Sequence, residues 1–459
     1  MFSKILQRFI EKSPVPVMLQ MLIEKTLTIN KLNNIFETTA IEQYTRTLLF
    51  SSLFDLMSLV VFKTFPNINA AYKEEKENLG VSITSVYNKL TGISTQTSSE
   101  LVRQTSKEMA QIIREMKGEK QAILPGYRIK MIDGNCIEAT EHRLEVLRET
   151  DAAPLPGKSL VVYDPSLEVT TDVFPCEDGH AQERSLFCKV LLTIEENDVL
   201  IADRNFCVRS FLMGIHEKQG YFIIREHSNL NPEEAGPETQ VGNTDVGTVH
   251  EQWVTLSDSE GRKVKFRRIR IELNKATRNG EKSLNIVTNL PKAVANATLV
   301  CDLYRKRWNI ETMFQELESH LHSEINTLGY PKAALFGFCV ALVAYNALAV
   351  VKAGLRVKHG ENKIENELSG YYLAGNIART YDGMMIAVPE EEWNAFQTMS
   401  LAMFTKVFLD IAAKVNLSKY KKSKRGPKKT RPARNKYEGH PHVSTAKLIK
   451  GIEPNKKSP

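Results

Sequence analysis

The sequence predicts an α/β fold: a mixed sheet with flanking helices and an antiparallel β-insertion, preceded by an α-helical N-terminal region. Three changes of pattern carry this expectation. Residues 1 to about 120 repeat with helix-type spacing, and from Gly126 apolar runs of strand length appear between helix-like stripes. Between His227 and Pro291 the pattern becomes plain alternation with turn signals.

In the first region MLQMLIEKTL, RTLLFSSLFDLMSLVVFKTF, SITSVYNKLTGIS and SELVRQTSKEMAQIIREMKG read as helices, SITSVYNKLTGIS beginning with Ser/Thr cap candidates. Val81 to Gly92 has the form of a short helix-turn-helix piece. YRIKMIDGNCIEA is then a strand, and GKSLVVYDPSLEVTTDVFPC two strands joined by the turn DPSLE. ERSLFCKVLLTI is a helix with an apolar stripe, DVLIADRNFC a buried strand, VRSFLMGIHEKQ a helix and GYFIIREH a further strand. TVHEQWVTLSD, KVKFRRIRIEL and SLNIVTNL alternate, with turns at SEGRK and TRNGEK, as an inserted antiparallel unit. LYRKRWNIETMFQELESHL follows as one amphipathic helix whose apolar stripe is Leu303, Trp308, Phe314 and Leu317. Four divisions result: a helical region over 1–122, a catalytic-type α/β unit over 123–355 with its insertion at about 228–290, a helical region over 356–415, and a tail over 416–459.

A chain of 459 residues, 42% hydrophobic and 25% charged, suits a soluble protein with two to four domains. The six cysteines are scattered without a C-x-x-C pair, which argues against a zinc knuckle or disulfide framework and for a reducing compartment. The N-terminus lacks an apolar stretch of signal-peptide length and reads as a short amphipathic helix. Ala333 to Val351 is uncharged and long enough to cross a bilayer. Its alanines and Asn346 favour a helix buried behind the sheet, so no membrane is expected.

The net charge of +7 is unevenly placed. From Lys419 onward there are 14 Lys/Arg against Glu438 and Glu453, which leaves the body of the chain acidic. KYKKSKRGPKKTRPARNKYEGHPH has Pro and Gly breakers and few large aliphatics, so it is expected to be disordered and to attract a polyanion. Lys263, Lys265 and Arg267 alternate along KVKFRRIRIEL and would put three cations on one strand face, suited to a phosphate backbone or to guarding an edge strand.

Asp133 and Asp203 each end an apolar strand, and Tyr304, Arg307 and Glu311 recur at spacings of three and four on a helix. Taken singly, each acid has a plain alternative: a turn before Gly134, a salt bridge or helix cap at Asp203, a solvated face at Glu311. Together the three carboxylates form an oxygen-donor set suited to Mg²⁺ or Mn²⁺. Two such ions would promote in-line displacement at phosphorus. Asp164 and Asp172 read as turn and strand-end residues, Glu183 as a first-turn acid complementing a helix dipole, and His142, Arg143 and His180 as surface or loop residues.

IDGN, ADRNF and YRKRWNIETMF resemble the three catalytic segments of DDE transposases with a ribonuclease H-like fold, over about residues 126–350. The nearer resemblance is to the bacterial insertion-sequence branch with Tyr, Arg, Glu and Lys at fixed spacing on its last catalytic helix. The resemblance implies Asp133, Asp203 and Glu311 as catalytic and metal-binding, with Tyr304 and Arg307 on DNA. It also implies a Mg²⁺ or Mn²⁺ cofactor, double-stranded DNA at transposon ends and target, a homodimer on DNA, and a bacterial cytoplasmic location. Cleavage at the element's ends and strand transfer are the implied reactions, and the N-terminal helices would bind DNA. A metal-dependent nuclease without strand transfer and an inactive or domesticated DNA-binding descendant are the alternatives. Two features depart from the pattern: Glu318 stands where the branch has its lysine, and SLNIVTNL lacks the tryptophan that some relatives carry there.

Overall fold

In a computed structural model, which describes residues 2–41, 43, 45, 47–149, 154–257, 261–277, 280–423 and 443–451, the chain opens with helices. These are α1 (Lys4–Lys12), α2 (Pro14–Thr26), α3 (Ile29–Thr39), α4 (Phe50–Val61), α5 (Ile68–Leu79), α6 (Ile83–Gly92) and α7 (Thr95–Glu115). Short polar side chains start five of them. Ser3, Thr28, Asn67, Ser82 and Ser94 each accept a hydrogen bond from the backbone N–H three residues on, satisfying a donor the helix cannot. Gly80 ends α5 in the left-handed region at φ 61° and Ser82 caps α6, so 68–92 is a helix-turn-helix unit.

The sheet starts with β1 (Arg128–Cys136), β2 (Lys158–Asp164) and β3 (Val169–Cys176), β2 lying between the other two and antiparallel to both. The helix expected from ERSLFCKVLLTI is instead a 3₁₀ turn, Glu183–Leu186, followed by the short α8 (Phe187–Leu191). Then come β4 (Asp198–Ala202), α9 (Arg209–Glu217) and β5 (Tyr221–Arg225), with β4 parallel to both β1 and β5. The order β3-β2-β1-β4-β5 is the ribonuclease H-like arrangement. The insertion supplies β6 (Glu233–Glu234), β7 (Thr239–Thr244), β8 (Gly247–Ser257), β9 (Lys263–Leu273) and β10 (Ser283–Thr288). It does not stand apart from the main sheet: β10 pairs antiparallel with β5, making one ten-stranded sheet. Periodicity reveals a strand but not its partner, and β6 and β7 are too short and polar to show it at all.

Two helices, α10 (Ala297–Arg305) and α11 (Trp308–His320), lead to α12 (Pro331–His359). The apolar stretch 333–351 lies within α12 and is buried throughout. It packs on α7, α4, β3 and α2. Asn346 is 0% exposed because β3 uses it: its Oδ1 accepts from Thr170 N and Oγ1, and its Nδ2 donates to Thr170 O, each at 2.8 Å. At the far end Glu168 receives Lys352 at 2.6 Å, Lys120 at 3.0 Å and the Arg356 guanidinium. Burial works to raise its carboxyl, but those three cations outweigh burial and hold it at about 2.

The remaining helices are α13 (Glu361–Glu367), α14 (Gly370–Ala387), α15 (Glu390–Thr398), α16 (Leu401–Ala412) and α17 (Thr445–Ile449). Part of the expected disordered tail is in fact ordered. Leu417–Tyr420 forms a 3₁₀ turn, and residues 443–451 return to the loops before β2 and after β3, where Ser444 bridges Leu155 and Lys447 pairs with Asp178 at 3.1 Å. The basic stretch 424–442 and the last residues, 452–459, lie outside the described residues.

Candidate active site

Strand β1 outruns its parallel neighbour. Its register with β4 ends at Met131 opposite Ile201, so Asp133 stands beyond β4 and is flanked only by Val161 of β2. Asp203 follows β4 directly and caps a 3₁₀ turn, its Oδ1 accepting from Asn205 N at 2.8 Å. Both aspartates therefore lie at the carboxyl ends of adjacent parallel strands, where open α/β sheets form their clefts. Glu311, in the first turn of α11, reaches the same place because α11 packs on β1.

The helix expected to carry Tyr304, Arg307 and Glu311 on one continuous face is broken. Tyr304 belongs to α10, Glu311 to α11, and Lys306 and Arg307 form the junction. The junction is wound to 3₁₀ spacing: Arg307 N donates to Tyr304 O at 3.0 Å, Asn309 N to Lys306 O at 2.9 Å and Ile310 N to Arg307 O at 3.1 Å. Trp308 consequently leaves the apolar stripe and is 59% exposed, whereas Leu303 and Leu317 stay in the core.

Arg307 is the centre of the site. Its Nη1 donates to Asp133 Oδ2 at 3.2 Å and its Nη2 to Glu311 Oε1 at 2.7 Å. Burial raises the Asp133 carboxyl to about 6. Arg307 and the Gly134 N–H oppose that rise, while the charges of Asp203 and Glu311 add to it. The three acids thus act on one another, and a guanidinium holds the positive charge between two of them. The donor set, carboxylate oxygens alone, fits a hard divalent cation. Among the described residues no three acidic, His or Cys side chains are spaced to hold one ion. An ion in this place would take over the contacts that Arg307 now makes. Tyr304 is raised by burial, with Arg307 and Arg225 opposing and Asp203 adding, so its phenol faces the same charges.

Two further acids, Glu183 and Glu324, border the site. Glu183, expected only as a first-turn acid, lies against Gly134: a Cβ at 134 would stand 2.1 Å from its Oε1. Its carboxyl is raised by burial, with Lys158 opposing and Asp203 adding. Glu324 accepts from Asn135 Nδ2 at 3.3 Å and from Glu138 N, and burial lifts it to about 7, with the charges of Glu138 and Glu318 adding. Glu318, in the lysine position, is exposed and lies within electrostatic range of Glu324. Arg225, at the end of β5, and Arg204, next to Asp203, both reach Glu281. An arginine closing GYFIIREH is the same sequence signal as an aspartate closing an apolar strand, and it could have been read.

The expected basic face on β9 is not formed. Arg267 is 1% exposed and donates to Glu251 at 2.7 Å and to the carbonyls of Leu290 and Ala295 at 2.8 Å each. It is a buried tie rather than a phosphate contact, because α10 and the segment before it cover this part of the strand. Lys263 is exposed but pairs with Glu233 at 2.8 Å, and Lys265 is exposed at the uncovered end. Arg268 and Arg270 pair with Glu226 at 2.6 Å and Glu238 at 2.7 Å.

Residues 125–347 match the family model described as the transposase DDE domain. No curated protein matches the chain's sequence. Among solved structures the chain is similar to a piggyBac transposase synaptic complex with hairpin DNA, determined by cryo-EM. The two share 10% identity over 88% of this chain and 86% of that one, with a TM-score of 0.39. That likeness is too distant to match residue to residue.

Proposed function

We propose that this chain, whose residues 125–347 match the transposase DDE domain, cuts DNA at the ends of a transposon and joins the freed 3′ ends to target DNA. The supporting observation is the cluster at the carboxyl ends of β1 and β4, where Asp133 and Glu311 share Arg307 and Asp203 acts on Asp133. Asp133, Asp203 and Glu311 would hold Mg²⁺ or Mn²⁺, two ions in this reading, only once Arg307 leaves its place between Asp133 and Glu311 and the three acids draw together. As they stand they are not spaced to share an ion. When bound, such ions supply an activated water or 3′-hydroxyl and neutralise charge at the phosphorus.

The chain's own residues have separate tasks. Arg307 keeps the acids apart from one another's repulsion until DNA and metal arrive, then turns its fork to a phosphate, which it matches better than a lysine would. The Tyr304 phenol, held neutral by burial, donates to the same phosphate. The helix-turn-helix unit over 68–92 and the basic stretch after Lys419 would bind DNA outside the cleavage point. Two ends are cut in one event, which calls for a homodimer on DNA, acting in a bacterial cytoplasm.

One observation favours a second reading, DNA binding without chemistry. Glu318, an exposed acid, stands where the branch has a cation, and it takes away a positive contact for the phosphate strand. The deciding experiment is Mg²⁺-dependent nicking of a duplex made from the DNA that flanks the gene, with any inverted repeats found there. Wild type should nick, and Asp203→Ala should bind the duplex but not nick it. Nicking that survives Asp203→Ala removes that residue from the mechanism, and wild-type binding without nicking selects the second reading.

A further inference from the structure

We infer that Arg204 and Arg225 form a second phosphate subsite beside the acids, and that the Glu281 carboxylate occupies it in the free protein. The inference rests on the proposed reaction and extends it to the DNA strand around the cleavage point. Arg204 directly follows Asp203, and Arg225 ends β5, the parallel neighbour of β4. Their guanidinium groups thus stand at the same edge of the sheet as the candidate catalytic acids.

Both reach one oxygen. Arg225 Nη2 donates to Glu281 Oε1, and Arg204 Nη1 lies 3.8 Å from it. Glu281 comes from the turn that joins β9 to β10, so it is the insertion that delivers an anion to the site. The turn is closed on itself: Thr277 N donates to Glu281 O at 2.9 Å and Glu281 N to Thr277 Oγ1 at 3.1 Å. Thr277 Oγ1 also lies 3.3 Å from Glu281 Oε2. Gly280 sits beside it at φ 81°, in the region that glycine adopts without strain.

The chemistry favours exchange of Glu281 for a phosphodiester. The arginine and glutamate side chains keep between 23% and 54% of their surface in water, where an ion pair is weak. A DNA phosphate offers the same pair of oxygens to the two forks and releases counterions as it binds. Tyr304 lies within the electrostatic reach of Arg225, Arg307 and Asp203. The second subsite therefore neighbours the first, with Tyr304 in the field of both Arg225 and Arg307. Duplex DNA is the occupant to which this geometry points, with one backbone phosphate on Arg204 and Arg225.

The test uses the full chain, a fluorescein-labelled duplex of the same flanking DNA, EDTA to prevent cleavage, and anisotropy titrations across a salt series. Arg225→Gln should weaken binding about tenfold and flatten the plot of log affinity against log salt by about one unit. Arg225→Lys should restore the slope, which separates lost charge from lost folding. Glu281→Gln should tighten binding several-fold, because the internal competitor is gone. Arg225→Gln binding with wild-type affinity and slope, or weaker binding by Glu281→Gln, would overturn the subsite. If wild type still nicks the duplex with Mg²⁺ in that case, the proposed function stands while the subsite falls. Wild type that neither binds nor nicks overturns both.

Discussion

Asp133→Asn should make the metal-free protein more stable at pH 7, although it removes a residue on which the proposed chemistry depends. Burial and the charges of Asp203 and Glu311 hold the Asp133 carboxyl at about 6, against an ordinary 3.8. Above pH 6 the folded chain carries a charge that the unfolded chain tolerates better. The difference of about two pH units corresponds to about 3 kcal/mol of destabilisation. That is an upper figure, because 20% of the side chain is in water and Asn gives up the bond to Arg307. The sign follows from proton binding. Between pH 3.8 and 6 the folded state binds more protons than the unfolded one, so the cost is absent in acid and complete above pH 6. Urea unfolding in EDTA at pH 4 and pH 7.5 measures it. Asn and wild type should match at pH 4, and Asn should be more stable by about 2 kcal/mol at pH 7.5. Adding Mg²⁺ should then stabilise wild type and leave Asn unmoved. Asn less stable than wild type at pH 7.5, or an advantage that ignores pH, would refute the reasoning.

Two further predictions concern the frame. Glu168→Gln should cost about 3 kcal/mol at pH 7, since its carboxyl is held at about 2 rather than 4.5. The stabilisation is complete above pH 4.5 and fades as pH falls through 2, so the difference between variant and wild type should shrink in acid unfolding titrations. Arg267→Met should destabilise the fold by about 3–5 kcal/mol in urea by leaving buried Glu251 with only Lys292. It should leave DNA affinity and its salt dependence unchanged, because the arginine does not reach the surface.

What the sequence revealed follows from what strands and helices need. An acid that ends an apolar strand is costly unless something uses it, and this marked Asp133 and Asp203 without any knowledge of their neighbours. The uncharged run around Asn346 was legible as a buried helix for a similar reason, although its partner Thr170 was not. The break at Lys306 and Arg307 was hidden, because both residues are good helix formers and the tightened turn accompanies contacts with Asp133 on a distant strand. Arg267 misled because alternation gives a face but not what covers it. The strand runs out beyond α10, so Lys263 and Lys265 are exposed while Arg267 lies beneath cover. Glu183, Glu281 and Glu324 were invisible as site residues, since each comes from a turn or loop whose position only the fold sets.

The most direct test of the account is a crystal structure of the full chain soaked in Mn²⁺, read by anomalous scattering. It should show manganese bound by Asp133, Asp203 and Glu311 together, with Arg307 no longer joining Asp133 to Glu311. Manganese bound elsewhere, or Arg307 still clasping both carboxylates at saturating Mn²⁺, would contradict it.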